Sequence, residues 1–375
     1  MENTNVFLSL SENLNEKLSA LNIKEPTAVQ KEIIPLISQG EDVVFQSETG
    51  TGKTFAYLLP LINKLEQETD STKLRILVVA PTFELASQIN MNVKSITNRK
   101  SALIIGGAPI KRQLETLKEK PQIICGSVAR IVELIRLKKI KINDLFAIIF
   151  DETDRLVKKE LLEETNELYN LIPQSTQIIA CTATINQFTK RFFAGINNVI
   201  LPNEDILTKR ITHWAIYAEQ RDKIETLRKF LLAEKPGKVL IFTSRADQVE
   251  NITSKLKYKN FECASLHAKS DKQERKATLD RFRSGKNKIL ITSDLAARGL
   301  DIPNITHIVQ MDLPSDEDFF IHRSGRTARA GKTGINVVIG DEFEMNQFAK
   351  LEKKLKITVY PKEIYGGKVL APRMD

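Results

Sequence analysis

The stretch Ser47-Glu48-Thr49-Gly50-Thr51-Gly52-Lys53-Thr54 joins small, flexible residues to a lysine and a hydroxyl. That combination suits a polyphosphate. Backbone N–H groups of such a loop can wrap the phosphates, the lysine can reach the terminal ones, and the threonine hydroxyl can ligate Mg²⁺. The strict pattern asks for glycine where Ser47 stands, but the position needs a small side chain more than glycine itself. A turn that merely caps a helix would use the same residues, so the decision rests on what accompanies it.

Two further clusters could complete such a site. Ala147-Ile148-Ile149-Phe150-Asp151-Glu152 is an apolar run ending in two acids. One carboxylate there can hold Mg²⁺ across from the phosphate loop, and its neighbour can orient or deprotonate an attacking water. A strand ending in solvated acids is the plainer alternative. Ile321-His322-Arg323-Ser324-Gly325-Arg326-Thr327-Ala328-Arg329 gathers three arginines in the other half of the chain. Guanidiniums brought to a γ-phosphate are worth roughly 10³ to 10⁵ in rate. The same arginines could instead form a basic patch for RNA phosphates.

Chemistry of this kind needs rigid elements behind it. Short apolar runs rich in Ile and Val recur at Val43–Gln46, Arg75–Ala80, Leu103–Ile105, Gln122–Cys125, Ala147–Phe150 and Gln177–Ala180. They read as strands buried on both faces. Phe55–Leu65, Glu84–Val93, Ile110–Glu119 and Ala129–Leu137 read as helices between them. The alternation predicts a parallel sheet covered by helices on both faces. Near Leu201-Pro202-Asn203-Glu204-Asp205 the pattern lapses, then restarts at Lys238–Thr243, Glu262–Leu266, Lys288–Thr292, Thr306–Met311 and Ile335–Ile339. The expected division is a first domain over 1–203, a linker over 204–211, a second domain over 212–358 and a surface tail over 359–375.

Composition agrees with this plan. At 375 residues the chain is too long for one ordinary core. No apolar run is long enough to span a bilayer, and Met1 to Leu10 lack the marks of a signal peptide. Cys125, Cys181 and Cys263 lie far apart in or beside apolar runs, which predicts buried, reduced thiols in a cytoplasmic protein. A formal charge of +9 permits a polyanionic partner without proving one.

In order and spacing, from about Phe7 to about Gly334, these motifs resemble the DEAD-box ATP-dependent RNA helicases of bacterial type, trimmed to little more than the core. The resemblance implies an α/β fold of two tandem RecA-like domains. It implies ATP and Mg²⁺ as nucleotide and cofactor, and RNA as partner. Gln30, in Pro26-Thr27-Ala28-Val29-Gln30, would pair with the adenine edge, with Phe7 upstream. Ser47, Glu48, Thr49, Gly50, Thr51, Gly52, Lys53 and Thr54 would hold the phosphates, and Asp301, in Ala297-Arg298-Gly299-Leu300-Asp301, would meet the nucleotide. Thr54 and Asp151 would hold Mg²⁺. Catalysis would fall to Glu152, Lys53, Arg326 and Arg329. RNA would lie along Pro81, Thr82, Gly106, Gly107, Ser127, Arg130, Gln273, Arg275, Thr292 and Ser293. Asp154, Thr182, Thr184 and His322 would couple hydrolysis to domain closure.

Departures from the family pattern cluster on the first-domain RNA surface. Phe83 replaces an arginine, and Ser127-Val128-Ala129-Arg130 stands where Thr-Pro-Gly-Arg is usual. Asn22 replaces a glycine before the adenine motif, and Phe7 lies closer to that motif than usual. Thr153 for Ala and Ala328 for Gly are small changes, expected to be tolerated. The residues assigned to hydrolysis are all present. The expectation is an RNA-dependent ATPase in one of two forms: a monomeric enzyme that opens short duplexes or remodels RNA–protein contacts, or an ATP-gated RNA clamp that unwinds weakly. A DNA helicase of the same superfamily fits the adenine motif and the Asp-Glu-x-Asp tetrad less well. Pre-ribosomal particles are the expected setting by analogy with small bacterial relatives.

Overall fold

The Ile- and Val-rich runs form strands whose side chains are buried on both sides. The computed structural model describes residues 5–47, 51–70, 72–182, 185, 187–200, 206–267, 272–294, 302–314, 317–328 and 332–372. The chain divides into two compact units, Met1–Asn203 and Glu204–Asp375. Each is an α/β unit built on a largely parallel sheet. Among the described residues no helix is long and apolar enough to cross a membrane.

The first unit contains β1 (Val43–Gln46), β2 (Ile76–Ala80), β3 (Ser101–Ile104), β4 (Ile123–Ser127), β5 (Ala147–Asp151), β6 (Gln177–Thr182) and β7 (Asn197–Ile200). They pair in the order β3-β4-β2-β5-β6-β1-β7, all parallel. Successive residues of β2 enter opposite cores, with Ile76, Val78 and Ala80 on one face and Leu77 and Val79 on the other. Helix Lys53–Glu66 covers the first face with Ala56, Tyr57, Leu59 and Ile62, each fully buried. Burial of a large apolar side chain contributes about 1.5–3 kcal/mol, so this helix is fixed firmly beneath the loop it follows. Parallel pairing brings every strand's carboxyl end to one edge. The segments after β1, β6 and β5 therefore lie side by side.

The second unit contains β8 (Ile211–Tyr217), β9 (Val239–Thr243), β10 (Cys263–Leu266), β11 (Ile289–Ser293), β12 (His307–Gln310), β13 (Gly334–Gly340), β14 (Val359–Tyr365) and β15 (Lys368–Leu370). Their order is β10-β11-β9-β12-β13-β8-β14-β15, parallel except for the β14–β15 hairpin. A π-helical turn, Ile206–Arg210, leads into β8.

The segment expected to be a surface tail over 359–375 needs correction. Residues Val359–Tyr365 extend the sheet beside β8, and Gly366-Gly367, at φ +57° and +73°, turn the chain into β15. Two glycines at positive φ are the turn that matches strand twist in a two-residue hairpin. Pro361 and the edge position hide the alternation. Ile364 and Val369 nonetheless pack on the core, and the Lys362 ammonium lies 5.3 Å from the Trp214 ring centroid. The strands β7 and β8 were likewise absent from the sequence pattern, since Asn197-Asn198 and the mixed Ile211–Tyr217 run lack a continuous apolar stretch.

Candidate active site

The phosphate-type loop is tied at both ends. Ser47 N–H donates to the Thr182 carbonyl at 2.9 Å, and the Ser47 and Thr51 hydroxyls are hydrogen-bonded at 2.5 Å. The serine found where glycine is usual thus bonds across the loop. Gly52, at φ +94°, starts the helix, and a Cβ there would stand 2.7 Å from Gln30 Nε2. Only glycine combines that backbone with that approach. Gln30 Nε2 donates to the Gly52 carbonyl at 3.2 Å, while its Oε1 accepts from Thr27 N–H at 3.0 Å in a capping box. The adenine-type glutamine and the loop are therefore one hydrogen-bonded assembly. Lys53 Nζ, buried, donates to the Ser47 carbonyl at 2.8 Å. Glu48, Thr49 and Gly50 lie outside the described residues.

Two strands away, Asp151 ends β5 with its carboxylate 3% exposed. Tyr57 O–H donates to Oδ2, and Cys181 S–H and Glu152 N–H donate to Oδ1, all at 2.9 Å. Burial lifts the Asp151 carboxyl above the usual range, against the opposing pull of Lys53 and the bonds from Cys181 and Tyr57. Glu152 sits at φ +51°, a left-handed conformation uncommon for a non-glycine residue, and its Oε2 accepts from Arg155 Nη1 at 3.0 Å. Such backbone costs about 1–3 kcal/mol and persists only where the surroundings hold it. Asp154 and Thr182 are buried beside it, and Thr184 lies outside the described residues.

This donor set fits a nucleoside triphosphate with a divalent cation. A buried carboxylate held under desolvation, a lysine resting on a carbonyl, and the half-buried Thr54 at the start of the helix are complementary to bound phosphate and metal. No group of three or more His, Cys, Asp or Glu among the described residues could hold a metal ion by itself. Magnesium bound to phosphates asks for only one or two protein oxygens.

The same edge of the sheet carries the first-unit RNA candidates. Pro81 and Thr82 follow β2, and Thr82 Oγ1 caps helix Phe83–Ile96 by accepting from Leu85 N–H at 3.3 Å. Gly106 and Gly107 are exposed after β3, with Gly106 N–H donating to Ser127 Oγ at 3.1 Å. Arg130 Nη1 donates to the Ala108 carbonyl at 3.2 Å. Phe7, by contrast, is 4% exposed and sits in the core under helix Ala28–Ser38.

In the second unit Thr292 and Ser293 are buried at the end of β11, while Gln273 is exposed and Arg275 half-buried on helix Lys272–Arg283. His322 and Arg323 belong to helix Glu317–Ser324, and Arg326 follows it with 7% exposure. Arg323 is densely ligated. Its Nε and Nη2 donate to Asp294 Oδ1 and Oδ2 at 2.6 Å each. Nη1 donates to Gln310 Oε1 at 3.2 Å and to the Asp312 carbonyl at 2.8 Å. Asp301 and Arg329 lie outside the described residues.

Comparison with known proteins decides the family. Residues 27–192 match the DEAD/DEAH box helicase model, and residues 222–331 match the helicase conserved C-terminal domain. The DEAD-box ATP-dependent RNA helicase CshC of Bacillus cereus is 37% identical over 360 residues, covering 94% of this chain and 92% of that protein. The chain belongs to the DEAD-box family. The DEAD-box ATP-dependent RNA helicase CshB of Listeria monocytogenes is 31% identical, over 90% of this chain and 80% of that one. The structure of S. cerevisiae Dbp5 bound to RNA and ADP BeF3 superimposes with a TM-score of 0.83 at 26% identity, covering 94% of both chains.

With the family known, the departures gain physical accounts. Asn22, at φ +58°, closes helix Glu12–Ala20 in a left-handed cap that asparagine tolerates next best to glycine. Ser127 stands for a threonine and keeps a hydroxyl, which accepts from the Gly106 N–H of the neighbouring glycine loop. Phe83 packs, half-buried, against the first core. Sequence reasoning missed Tyr57 and Cys181, whose contacts with Asp151 depend on the pairing of β5 with β6 and on the helix above. It also missed Gln113, whose buried amide clamps Ile105 N–H and carbonyl at 2.9 and 3.0 Å. A glutamine on a surface-type helix gave no signal of that.

Proposed function

We propose that this DEAD-box ATP-dependent RNA helicase couples RNA-stimulated ATP hydrolysis to local opening of short RNA duplexes or remodelling of RNA–protein contacts. The observation that carries it is the convergence of Lys53, Asp151 and Glu152 at the carboxyl edge of one parallel sheet, with Gln30 bonded to the same loop. In this scheme Gln30 orients the adenine and Ser47 to Thr54 cradle the phosphates. Glu152 positions and deprotonates the attacking water. Magnesium held through Thr54 and Asp151 would supply positive charge to the phosphate oxygens. Arg326 and Arg329 would steady charge developing on the γ-phosphate. Pro81, Thr82, Gly106, Gly107, Ser127, Arg130, Gln273, Arg275, Thr292 and Ser293 would follow the RNA backbone, giving little sequence preference. Asp154, Thr182, Thr184 and His322 would link the two events.

The packing of half-buried Phe83 against the core favours a second reading. With the family arginine replaced there, the protein could act as an ATP-gated clamp that grips RNA and unwinds weakly. A monomer acting on pre-ribosomal particles in the cytoplasm is the proposed setting, by analogy with small bacterial members. ATPase assays with and without RNA, run beside a strand-separation assay, test both. RNA-stimulated turnover with strand separation supports the helicase, and stimulation without separation supports the clamp. Turnover indifferent to RNA would sink both.

A further inference from the structure

Four hydrogen bonds run head to tail through the middle of the second sheet. Arg323 Nη1 donates to Gln310 Oε1 at 3.2 Å, and Gln310 Nε2 donates to Asn336 Oδ1 at 2.9 Å. Asn336 Nδ2 then donates to His213 Nδ1 at 3.1 Å, and His213 Nε2 donates to the Leu207 carbonyl at 2.8 Å. The four side chains are at most 1% exposed.

The direction of this row is forced. A carbonyl only accepts, so His213 carries its proton on Nε2 and must accept at Nδ1. That turns the Asn336 amide nitrogen toward the histidine and its oxygen toward Gln310. Gln310 is then left with its own oxygen facing the guanidinium. Helix Glu317–Ser324 lies along the row, stacking Phe320 on His213 with ring centroids 5.8 Å apart and setting the Arg323 guanidinium 5.4 Å from the Phe242 ring centroid. Removing any member strands a buried donor or acceptor on either side of it.

The two ends of the row matter. Leu207 belongs to the turn Ile206–Arg210, which follows closely on the boundary between the units. Arg323 grips Asp294, the residue after Thr292-Ser293, and its carbonyl accepts from Arg326 N–H at 3.1 Å. We propose that His213, Asn336 and Gln310 are positioning residues that couple the conformation of the Ile206–Arg210 turn to the presentation of the Ser293-Asp294 segment to RNA. This rests on the RNA-stimulated ATPase proposed above.

His213→Phe keeps a ring against Phe320 but offers neither donor nor acceptor. It should raise the RNA concentration for half-maximal ATPase at least about five-fold, a typical coupling, while RNA-free ATP affinity stays unchanged. His213→Gln restores one donor and one acceptor and should return the RNA response to within about two-fold of wild type. Phe230→Leu, fully buried in the core on the opposite face of the sheet, is the stability control. It should lower Tm without moving the RNA response. A folded His213→Phe with a wild-type RNA response, or an equal loss in Phe230→Leu, overturns the relay. Should His213→Phe fail to fold, the ¹⁵N-histidine-labelled wild-type protein decides. The His213 imidazole N–H resonance should shift on adding RNA with a non-hydrolysable ATP analogue, and an unmoved resonance overturns the relay. Wild-type ATPase that ignores RNA would instead sink the underlying function.

Discussion

Lys53 in the first unit and Arg323 in the second are both buried, and they are held in opposite ways. Lys53 rests its ammonium on a single backbone carbonyl, that of Ser47, and faces a carboxylate whose protonation is pushed up by burial. Arg323 is saturated: Nε, Nη1 and Nη2 all find oxygen acceptors, on Asp294, Gln310, Asp312 and Ser244. The lysine's bond is of a kind that a phosphate can replace, whereas the arginine's set is closed. Motif membership alone does not separate a cation that meets ligand from one that holds the scaffold. The number and type of its partners does.

The contrast predicts opposite phenotypes. Glu152→Gln should leave ATP binding intact and lower turnover by roughly 10² to 10⁴, the usual contribution of a general base. Lys53→Ala should weaken ATP binding, yet barely change the unfolding midpoint, since it removes one backbone contact. Paired nucleotide-binding and ATPase measurements check both, and rapid turnover by purified Glu152→Gln would remove that residue from its role.

Arg323→Met should do the reverse. Removing the buried guanidinium takes the charge partner from Asp294 and leaves Asp312 with its bonds from Thr243 and Ser244, at a cost of about 3–5 kcal/mol. Urea unfolding of the second unit would show it, and a loss below about 1 kcal/mol would mean that the cluster relaxes to solvent.

Acid separates the units in a third way. All four histidines lie in the second unit. Burial holds His213 and His307 neutral, with pKa lowered to about 4 in each. An unfolded imidazole titrates near about 6.5, so the unfolded chain binds more protons between these values and stability falls as pH falls through that window. Each histidine contributes at most about 3 kcal/mol to that loss. Asp151 has the opposite sign: its raised carboxyl favours the folded first unit at low pH and loses that contribution as pH rises. Trp214, the sole tryptophan, sits in β8 and reports the second unit by fluorescence. Its unfolding midpoint in urea should drop between pH 6.5 and 4.5 and drop less in His213→Gln. An equal drop in both proteins would mean that His213 is not the titrating group.

The sequence made the phosphate loop, the acids and the arginines legible because each motif is contiguous and each residue type has few other uses at that spacing. It also marked most strands, since a strand buried on both faces needs an unbroken apolar run. What it hid depends on pairing between distant segments. Tyr57 meets Asp151 across 94 positions, and Asn336 meets His213 across 123. No local pattern encodes either. The C-terminal hairpin was hidden differently: Gly366-Gly367 is a strong turn signal, but Pro361 beside it argues against a strand unless the strand lies near a sheet edge.

Phe83→Arg probes the one place where the proposed RNA edge departs most from the family. The residue is half-buried at the first turn of its helix, beside Pro81 and Thr82. An arginine stem can lie along the apolar surface while its head reaches solvent, so the stability loss should be about 1 kcal/mol. If the head meets an RNA phosphate, affinity should improve by about 1.5 kcal/mol, or roughly tenfold. An RNA titration beside a melting curve tests this. A stable variant with unchanged RNA affinity would show that the edge no longer follows the family path.

The smallest expected effect lies in the arginine motif itself. Ala328 stands where the family has glycine, and it keeps the glycine-type backbone at φ +56° with 2% exposure. Its methyl packs with Ile211 and Leu207. Ala328→Gly would relieve about 1–2 kcal/mol of left-handed strain. Against that stand about 0.4–1 kcal/mol from the freer unfolded chain and about 0.8 kcal/mol from the lost methyl. These nearly cancel, so the variant should unfold within about 0.5 kcal/mol of wild type by urea titration. A gain above about 1 kcal/mol would show that the methyl contributes little packing; a comparable loss would show that the left-handed backbone costs less here than at an average residue.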